Sequence, residues 1–435
     1  MKTKKGNFFI LFFVGILIFS SVVVQGKDLE IWLVANAEKA RLIKNLTDQY
    51  FTPKTGVSVN FSTMVWEDAI SKIYMAVASG DIPDIAQMGS TWQCEFGLRG
   101  AILDLNKAFP EETKAIFQEM YPGSLRPIEF KGTAWGVPAE LGNMQGYIRT
   151  DIFKENGWDI PNTWDELYPL LPKMQTKDMN FGINYGQNGI SWFVASAFLR
   201  QAGGDIYLPG GEKSILDTPE SIDGFTRFTE LFTKHKVPKE IHQVQDFRVG
   251  DIPFLCISTR VVYGTYMYAA PELKGKWTTV LLPGTVRADG TINHSGYLGT
   301  NNFSIFEKSK MQREAFEWIK WFMSDEIQTL YGKQYQEQLP GAFHMSPNIK
   351  AMAKMEIPED HRKVLMNQLH EDIGIPFALG GETVWRYVDN ATASVVMLGE
   401  DPEKAIRKAA QEVTAEMQRK AKEFDRFLRA LDTNR

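Results

Sequence analysis

The sequence predicts an α/β fold built as two lobes, and three observations support this prediction. Apolar residues alternate in 29–33, recur at helical spacing in 42–50 and alternate again in 57–61. The same order of strand and helix repeats in 68–88, as in a parallel sheet with right-handed crossovers. About 400 residues follow an apolar amino-terminal stretch, which is more than one hydrophobic core usually serves.

Glycine and proline mark the ends of these first elements. The stretch "TPKTG" stops the first helix, and Gly80 stops the second helix before "PDIAQM" forms the third strand. Open sheets of this type bind ligands just outside the carboxyl ends of their strands. Residues 64–68 and 89–95 follow two such ends, so we expect them to border a binding site.

The rest of the chain continues to mix helices and strands. Thr163 and Glu166 match a capping box at the start of a helix, and Ser309 and Gln312 match it again. Between these boxes, "FTRFTELFTKHK" predicts a helix and "DIPFLCIS" predicts a buried strand. Trp318 lies beside the apolar stripe of the second boxed helix and is predicted to be structural. From residue 400 onward the chain predicts one long solvated helix.

The first 26 residues are typical of an export signal. Three lysines at positions 2, 4 and 5 precede the apolar core Phe8–Phe19, and "VQG" offers a cleavage site. The apolar stretch is 17 residues long, whereas a membrane-spanning helix needs about 20, so cleavage is favoured over a retained anchor. No cysteine lies near the cut, so no lipid anchor is expected. We predict a mature protein in the periplasm or at the cell exterior.

The composition argues against several kinds of partner. The net charge is −5, and removing the three signal lysines makes it −8, so nucleic acid and anionic membranes are not expected to bind. Two cysteines, Cys94 and Cys256, leave open whether a disulfide forms. The six histidines lack the spacing of metal ligands, and we expect neither a metal nor a cofactor.

A series of short motifs covers nearly the whole mature chain. In order it includes "LEIWLV", "PKTGVSVNF", "ASGDIPDIAQM", "GLRGAILDL", "GTAWGVPAE", "IRTDIFKENGWDIPNTWDEL", "AGGDIY", "FRVGDIPFL", "LPGT" and "GEDPEKAI". In this order the chain resembles the extracellular solute-binding proteins of bacterial ABC importers, in particular the sugar-binding family that includes maltose-binding protein. The resemblance implies a periplasmic-binding-protein fold, with two α/β lobes, an interlobe cleft and hinge crossings.

The resemblance also implies how the chain is divided and what it does. The predicted units are a signal peptide in 1–26, an amino-terminal lobe in 27–140 and 302–345, and a carboxy-terminal lobe in 141–301 and 346–435. The chain would cross between the lobes near Pro138–Tyr147 and Gly296–Phe303. The lobes would close on a carbohydrate of oligosaccharide size and present it to the membrane permease of an ABC transporter. The binding protein itself would be a monomer without enzymatic activity.

Aromatic and polar residues near the predicted cleft are the candidates for binding a sugar. Aromatic rings pack against the C–H faces of sugars, and carboxylate, amide and guanidinium groups bind their hydroxyls. Trp66 and Trp92 follow two of the predicted strands. Glu140 follows "WGVP" at the first crossing, where a buried acid needs polar partners.

The resemblance adds further candidates for ligand binding. Trp192 and Trp385 match positions at which the family places stacking aromatics. Either Arg260 or Tyr263 matches another such position, and Tyr263 is favoured. The remaining candidates lie at the second crossing or beside Trp385: Tyr297, Asn302, Glu382 and Arg386.

Two other functions stay open at this point. A secreted glycoside hydrolase also lines its cleft with aromatics and acids, but it needs two carboxylates at a set separation, and no acidic pair here has such a context. A binding protein for a polyamine or a peptide could use a similar set of residues. Sugar binding is favoured over both, and the sequence does not give the identity, length or linkage of the sugar.

Overall fold

The computed structural model describes residues 28–186, 191–208, 210, 213–339 and 341–433. The predicted export signal and its cleavage site lie outside these residues. Within the part of the chain described, no helix is both long enough and apolar enough to cross a membrane.

The amino-terminal segment forms the predicted alternation of strands and helices. It contains β1 (Leu29–Val34), α1 (Ala37–Leu46), α2 (Thr52–Thr55), β2 (Val59–Met64), α3 (Trp66–Ser79) and β3 (Ile85–Gly89). Strands β2 and β3 both pair with β1 in parallel, as predicted. Gly80 ends α3 with a φ of 80°, a left-handed conformation that glycine adopts without a steric penalty.

The middle of the chain is richer in helices. It comprises α4 (Gln93–Leu98), α5 (Leu105–Ala108), α6 (Pro110–Phe117), β4 (Glu129–Phe130), β5 (Thr133–Ala134), β6 (Val137–Arg149), α7 (Thr150–Asn156), α8 (Trp164–Leu167), α9 (Leu171–Gln175), β7 (Phe181–Ile183), α10 (Ser191–Gln201), α11 (Pro219–Thr233), α12 (Gln243–Val249), β8 (Phe254–Ser258) and α13 (Thr259–Gly264). The predicted helix "FTRFTELFTKHK" lies mainly in α11, and the predicted buried strand "DIPFLCIS" contains β8.

The last part of the chain returns to the sheet and then becomes mainly helical. It comprises β9 (Trp277–Val280), β10 (Thr285–Val286), β11 (Ile292–Asn293), β12 (Tyr297–Ile305), α14 (Gln312–Phe322), α15 (Asp325–Gln338), α16 (Ile349–Ala353), α17 (Glu359–Glu371), β13 (Ile373–Gly374), α18 (Gly381–Leu398), α19 (Pro402–Glu423) and α20 (Asp425–Thr433).

Two long strands join the halves of the main sheet. Among the described residues the strand order is β2-β1-β3-β12-β6-β8-β7, with β13 paired to β12 and β9 paired to β6. Strand β6 pairs with β12 over residues 137–143 and with β8 over residues 144–148. Strand β12 also pairs with β3 over residues 301–305. The two predicted crossing segments therefore fall on β6 and β12.

Separate apolar clusters pack on the two sides of these crossing strands. One cluster joins β1, α1 and α14 and contains Trp318, which is fully buried. The indole Nε1–H of Trp318 donates to Thr47 Oγ1 at 3.2 Å, which confirms that this tryptophan is structural. Another cluster joins α10, α11, α18 and α19, and in it Trp164 stacks on Phe198 with ring centroids 4.4 Å apart.

The prediction of one long solvated helix at the carboxyl end is wrong. The segment is two helices, and α19 buries a stripe of small and apolar residues from Ala405 to Met417. Phe424, between the helices, packs into the cluster that contains Trp92. Lys420 Nζ lies 2.8 Å from Glu95 Oε1 of α4. The carboxyl-terminal segment therefore packs against α4, near the amino end of the chain, as well as against helices of the later part of the chain.

One predicted capping box is confirmed and the other is wrong. Thr163 Oγ1 accepts a hydrogen bond from the Glu166 N–H at 3.2 Å and caps α8. By contrast, α14 begins after Met311, and the Ser309 hydroxyl donates to Asp84 Oδ1 at 2.6 Å. Ser309 therefore ties the segment before α14 to the loop that precedes β3.

The two cysteines do not form a disulfide. Cys94 and Cys256 are both free and buried. The Cys94 thiol donates to the Ala378 carbonyl at 2.7 Å. Burial raises the pKa of both thiols, so neither has the thiolate character of a reactive cysteine.

Asp372, which follows α17, is a buried carboxyl beside the second crossing. Its Oδ1 accepts from the Gly296 N–H at 2.9 Å and from Gln368 Nε2 at 2.7 Å. Burial raises the pKa of Asp372 to about 8, although hydrogen bonds from Gln368, Asn143 and Gly296 and the charge of Arg200 act in the opposite direction. The folded protein therefore binds a proton here that the unfolded chain releases near pH 4.

We expect this proton to make stability depend on pH. Because the folded pKa is above the unfolded one, the contribution is complete below about pH 4 and is lost as the pH rises through about 8. Between pH 6 and pH 8 the parent should lose about 2 kcal/mol relative to Asp372→Asn, since one proton is worth at most about 1.4 kcal/mol per pH unit and is half released at pH 8. Urea unfolding of both proteins across this range measures the difference. Parallel pH profiles would contradict the assignment.

Candidate ligand-binding cleft

A cavity of about 500 Å³ lies beside β6 and β12, the two strands that join the halves of the main sheet. The segments that follow β2 and β3 form one side of it. Residues near the starts of α10, α13 and α18, together with residues of β6 and β12, complete the lining. Its volume lies in the range typical of small-molecule sites.

Trp66 and Trp92 form an aromatic pair on the amino-terminal side of the cavity. Their ring centroids lie 4.8 Å apart with an interplanar angle of 37°. Trp66 is 47% exposed, whereas Trp92 is buried. Gly89 permits this packing, because a Cβ atom at that position would lie 2.7 Å from Trp66 Cη2. Both tryptophans follow strand ends, as the sequence predicts, and both line the cavity.

Trp192 and Trp385 form a second aromatic pair in the lining of the cavity. Their centroids are 6.4 Å apart and their planes are inclined by only 24°. Tyr297 of β12 meets the Trp192 ring edge-on, with centroids 5.5 Å apart. The Trp192 N–H donates to Asp389 Oδ1 at 2.7 Å, which fixes the first turn of α10 against α18. All three rings line the cavity.

Behind the cavity wall, Glu140 of β6 is buried between two cations. Its Oε2 accepts from Lys39 Nζ at 2.8 Å and lies 3.7 Å from Arg260 Nη2. Burial opposes ionisation of Glu140, but the charges of Arg260 and Lys39 outweigh it and hold the pKa of this carboxyl well below its usual range. Burial lowers the pKa of the nearby His344 to about 3, so this imidazole is neutral at pH 7.

Small polar residues complete the cavity wall. The Ser90 hydroxyl donates to the Thr300 carbonyl and accepts from the Thr300 N–H, each at 3.1 Å, and joins the loop after β3 to β12. The Thr300 Oγ1 atom is buried and has no hydrogen-bond partner among the described residues. Asn301 Nδ2 lies 3.5 Å from Glu140 Oε2. None of the described lining residues is acidic, so the wall offers donors and rings but no pair of carboxylates.

Several of the predicted binding residues do not line the cavity. Tyr263 was favoured over Arg260, but Arg260 lines the cavity, whereas the Tyr263 ring is fully buried and its hydroxyl lies 3.1 Å from His361 Nδ1. Asn302 is fully buried in β12, behind the wall. Arg386 is exposed and contacts Tyr387. The side chain of Glu382 lies outside what the structure describes.

Sequence reasoning also missed residues that the structure brings to the cavity. Phe193 lies next to Trp192 and contacts Tyr297 with centroids 5.0 Å apart. Asn301, rather than Asn302, lines the wall, and strand alternation could have indicated this because Asn301 has the same parity as Tyr297. Ser90 and Thr300 carried no signal that separated them from other small polar residues.

Within the described residues, no group of three or more His, Cys, Asp or Glu side chains is arranged to hold a metal ion. The cavity is instead an aromatic site with hydrogen-bond donors.

Comparison with known proteins assigns the chain to a family. A sequence model of the bacterial extracellular solute-binding proteins matches residues 47–355, well over half of the chain.

The chain belongs to this family. Among curated relatives, the diacetylchitobiose-binding protein DasA of Streptomyces coelicolor is 22% identical over 344 residues, which cover 76% of this chain and 77% of the relative. A likeness of this degree over three quarters of both chains agrees with the family match.

Solved structures share the fold of this solute-binding protein. The sugar-binding protein MalE from Xanthomonas citri aligns with a TM-score of 0.77 at 18% identity, over 92% of this chain and 99% of that one. The cyclic α-maltosyl-1,6-maltose-binding protein from Arthrobacter globiformis aligns with a TM-score of 0.75 at 20% identity, over 90% and 99% of the two chains. The predicted two-lobed periplasmic-binding-protein fold is thus confirmed, and the aromatic cavity lies at its crossing strands.

Proposed function

We propose that this solute-binding protein captures a carbohydrate of oligosaccharide size and delivers it to the membrane permease of an ABC transporter. One observation carries the proposal: two tryptophan pairs, Trp66 with Trp92 and Trp192 with Trp385, line one cavity. Aromatic faces pack well against the C–H faces of sugar rings, and several stacked positions suit a chain of more than one sugar.

The other cavity residues support the same ligand class. The free Thr300 hydroxyl, Asn301 and Arg260 offer hydrogen bonds to sugar hydroxyls. The names of the structural relatives from Xanthomonas citri and Arthrobacter globiformis, a sugar-binding and a maltose-type oligosaccharide-binding protein, agree with this assignment. A polyamine site would need acidic side chains, and the described lining residues include none.

We propose that the two lobes have the boundaries expected from the sequence: 27–140 with 302–345, and 141–301 with 346–435. The separate apolar clusters on either side of β6 and β12 support this division. The packing of Phe424 beside Trp92 suggests one refinement, in which the end of α19 and α20 dock on the amino-terminal lobe. The lobes would close on the sugar, because a ligand held from both sides stabilises the closed form. The protein would act outside the cytoplasmic membrane as a monomer without a lipid anchor.

A binding screen tests the proposal. Thermal-shift and calorimetric measurements against neutral and acidic oligosaccharides, polyamines and short peptides should give stabilisation with one or more oligosaccharides only. A ligand at 100 times its Kd should add about 2.7 kcal/mol to the free energy of unfolding. Stabilisation by a polyamine or a peptide, with no response to any sugar, would contradict the carbohydrate assignment.

We also expect that the protein leaves its ligand unchanged. A glycoside hydrolase needs two carboxylates about 5–10 Å apart, and Glu140 is already committed to Lys39 and Arg260. Prolonged incubation with a bound oligosaccharide should release no reducing ends above background, as measured by chromatography of the recovered sugar. Release that disappears in a Glu140→Gln variant would overturn the transport assignment.

A further inference from the structure

Among the described residues, the wall of the cleft has more positive than negative charge. Lys39 and Arg260 share the single carboxylate of Glu140, and His344 beside them is neutral at pH 7 because it is buried. The carboxylate near the opposite side, Asp389, is buried behind Trp192 and accepts its backbone N–H. One positive charge of the Lys39–Glu140–Arg260 cluster is therefore uncompensated.

Arg260 is the member of this cluster that reaches the cavity. Its side chain is 36% exposed, compared with 10% for Lys39 and 5% for Glu140. The ion pair of Lys39 is short, at 2.8 Å, whereas Arg260 Nη2 stays 3.7 Å from the carboxylate. Among the described residues, no hydrogen-bond acceptor lies within 3.5 Å of the Arg260 guanidinium in bonding geometry. Its donors are thus available to a ligand.

The backbone of β6 is shaped to hold this arginine against the wall. Gly142 lies under the Arg260 side chain, and a Cβ atom there would be 3.1 Å from Arg260 Cδ and 3.7 Å from Nη1. The absence of a side chain at this position lets the arginine lie flat across the strand. The guanidinium group consequently lies at the cavity wall with the tryptophan pairs, and its planar fork suits the oxygens of a carboxylate, sulfate or phosphate.

Closure of the lobes makes the excess charge important. A closed cleft excludes water, and a buried charge without a partner is costly. A neutral sugar would leave the charge of Arg260 uncompensated in the closed form, whereas an acidic sugar would supply the missing anion. The described lining residues contain no other acid that could do so.

We propose that the ligand of this cleft is an acidic carbohydrate, whose anionic group binds Arg260 while its rings stack on the tryptophan pairs. This inference rests on the proposed carbohydrate function and narrows it to sugars that carry a uronate carboxylate or a sulfate or phosphate ester. The shared chemistry is an oxyanion attached to a sugar ring.

The test compares matched acidic and neutral sugars by calorimetry with the full-length mature protein. The pairs are trigalacturonate with its methyl ester, β-1,4-linked trimannuronate with mannotriose, a sulfated disaccharide with its desulfated form, and trehalose 6-phosphate with trehalose. We expect at least one acidic member to bind roughly tenfold or more tightly than its neutral partner, as is typical of a hydrogen bond to a charged group. The arm that responds identifies the oxyanion as carboxylate, sulfate or phosphate.

Variants of the arginine provide the second measurement. Arg260→Gln should weaken binding of the acidic sugar by roughly 10- to 100-fold and remove most of the preference, while Arg260→Lys should retain part of it. Arg313→Gln, which removes a surface arginine paired with Glu112, is the matched control and should bind like the parent. The comparison of ligand pairs with the parent protein needs no variant, so a poorly folded Arg260→Gln does not prevent the test.

The outcomes separate this inference from the proposed function. If neutral sugars bind as tightly as their acidic partners, or if Arg260→Gln keeps the full preference for the acid, the inference is wrong and carbohydrate binding stands. If no sugar of either kind binds and another class of solute does, the proposed function is wrong, and the inference falls with it.

Discussion

Replacing Glu140 with alanine is expected to lower the free energy of unfolding by about 3–5 kcal/mol, because it leaves the charges of Lys39 and Arg260 without their carboxylate. Lys39 is 8% exposed, and the carboxylate that it contacts at 2.8 Å is equally enclosed. Water can therefore replace the lost partner only in part. Chemical unfolding of the ligand-free protein, followed by fluorescence of the tryptophans, measures the loss.

The matched control is an ion pair of similar geometry on the surface. Glu112 lies 2.7 Å from Arg313, but both side chains are solvated. Glu112→Ala should cost about 1 kcal/mol or less, since exposed ion pairs contribute little. The double variant Lys39→Met/Glu140→Met should regain much of the stability that Glu140→Ala loses, because it also removes the more deeply buried of the two unpaired cations, while the more exposed Arg260 stays partly solvated. Equal losses of stability for Glu140→Ala and Glu112→Ala would contradict the prediction. They would show that removing the acid from the buried ion pair costs no more than removing it from the surface pair.

Local sequence rules were sufficient to predict the cavity residues that follow the ends of strands. Trp66 and Trp92 follow β2 and β3, so the tendency of open sheets to bind ligands at carboxyl ends was enough to place them. Gly80 likewise ends α3 as predicted, because glycine adopts the left-handed backbone conformation of a helix end without a steric penalty. Such features depend on a few neighbouring residues, and the chain order alone specifies them.

The choice between Arg260 and Tyr263 could not be made in this way. Both lie in α13, and the sequence does not indicate which of them meets the cavity. The Tyr263 ring is enclosed by Phe343 and His361, which come from segments far along the chain. Arg260 is retained at the wall by Glu140 and by the space above Gly142. Contacts between segments that are distant in the sequence decide which of the two side chains lines the cavity, and a local sequence pattern does not predict such contacts.

The residues of β12 that line the cavity were predictable only in part. The register of β12 against β6 shifts between Asn301 and Asn302, where a bulge changes which side chains face each side of the sheet. Simple alternation from Tyr297 would have favoured Asn301, but it would not have predicted that Thr300 also lines the wall.

The prediction of one solvated helix at the carboxyl end failed for a different reason. Its many charges masked the narrow stripe of alanine, valine and methionine that α19 buries.

Replacing Trp385 with alanine is expected to weaken carbohydrate binding by roughly five- to 150-fold, which corresponds to about 1–3 kcal/mol of lost stacking. Trp385 is half-buried and lies parallel to Trp192 at the cavity wall. Its exposed face is available to a sugar ring, so its removal affects the bound state more than the free one. Calorimetry with the ligand identified in the screen measures the loss of affinity.

Trp318 is the control that separates binding from folding, because it is fully buried in a cluster that does not line the cavity. Trp318→Ala should lower the free energy of unfolding by about 3–5 kcal/mol, as is typical for a large buried aromatic. Well below its unfolding midpoint it should still bind the sugar with nearly parental affinity. Trp385→Ala should do the reverse and lose no more than about 1 kcal/mol of stability, since one face of its ring is already solvated. If Trp385→Ala binds every ligand as tightly as the parent, the sugar does not occupy the cavity between the two tryptophan pairs, and the binding site must lie elsewhere in the cleft.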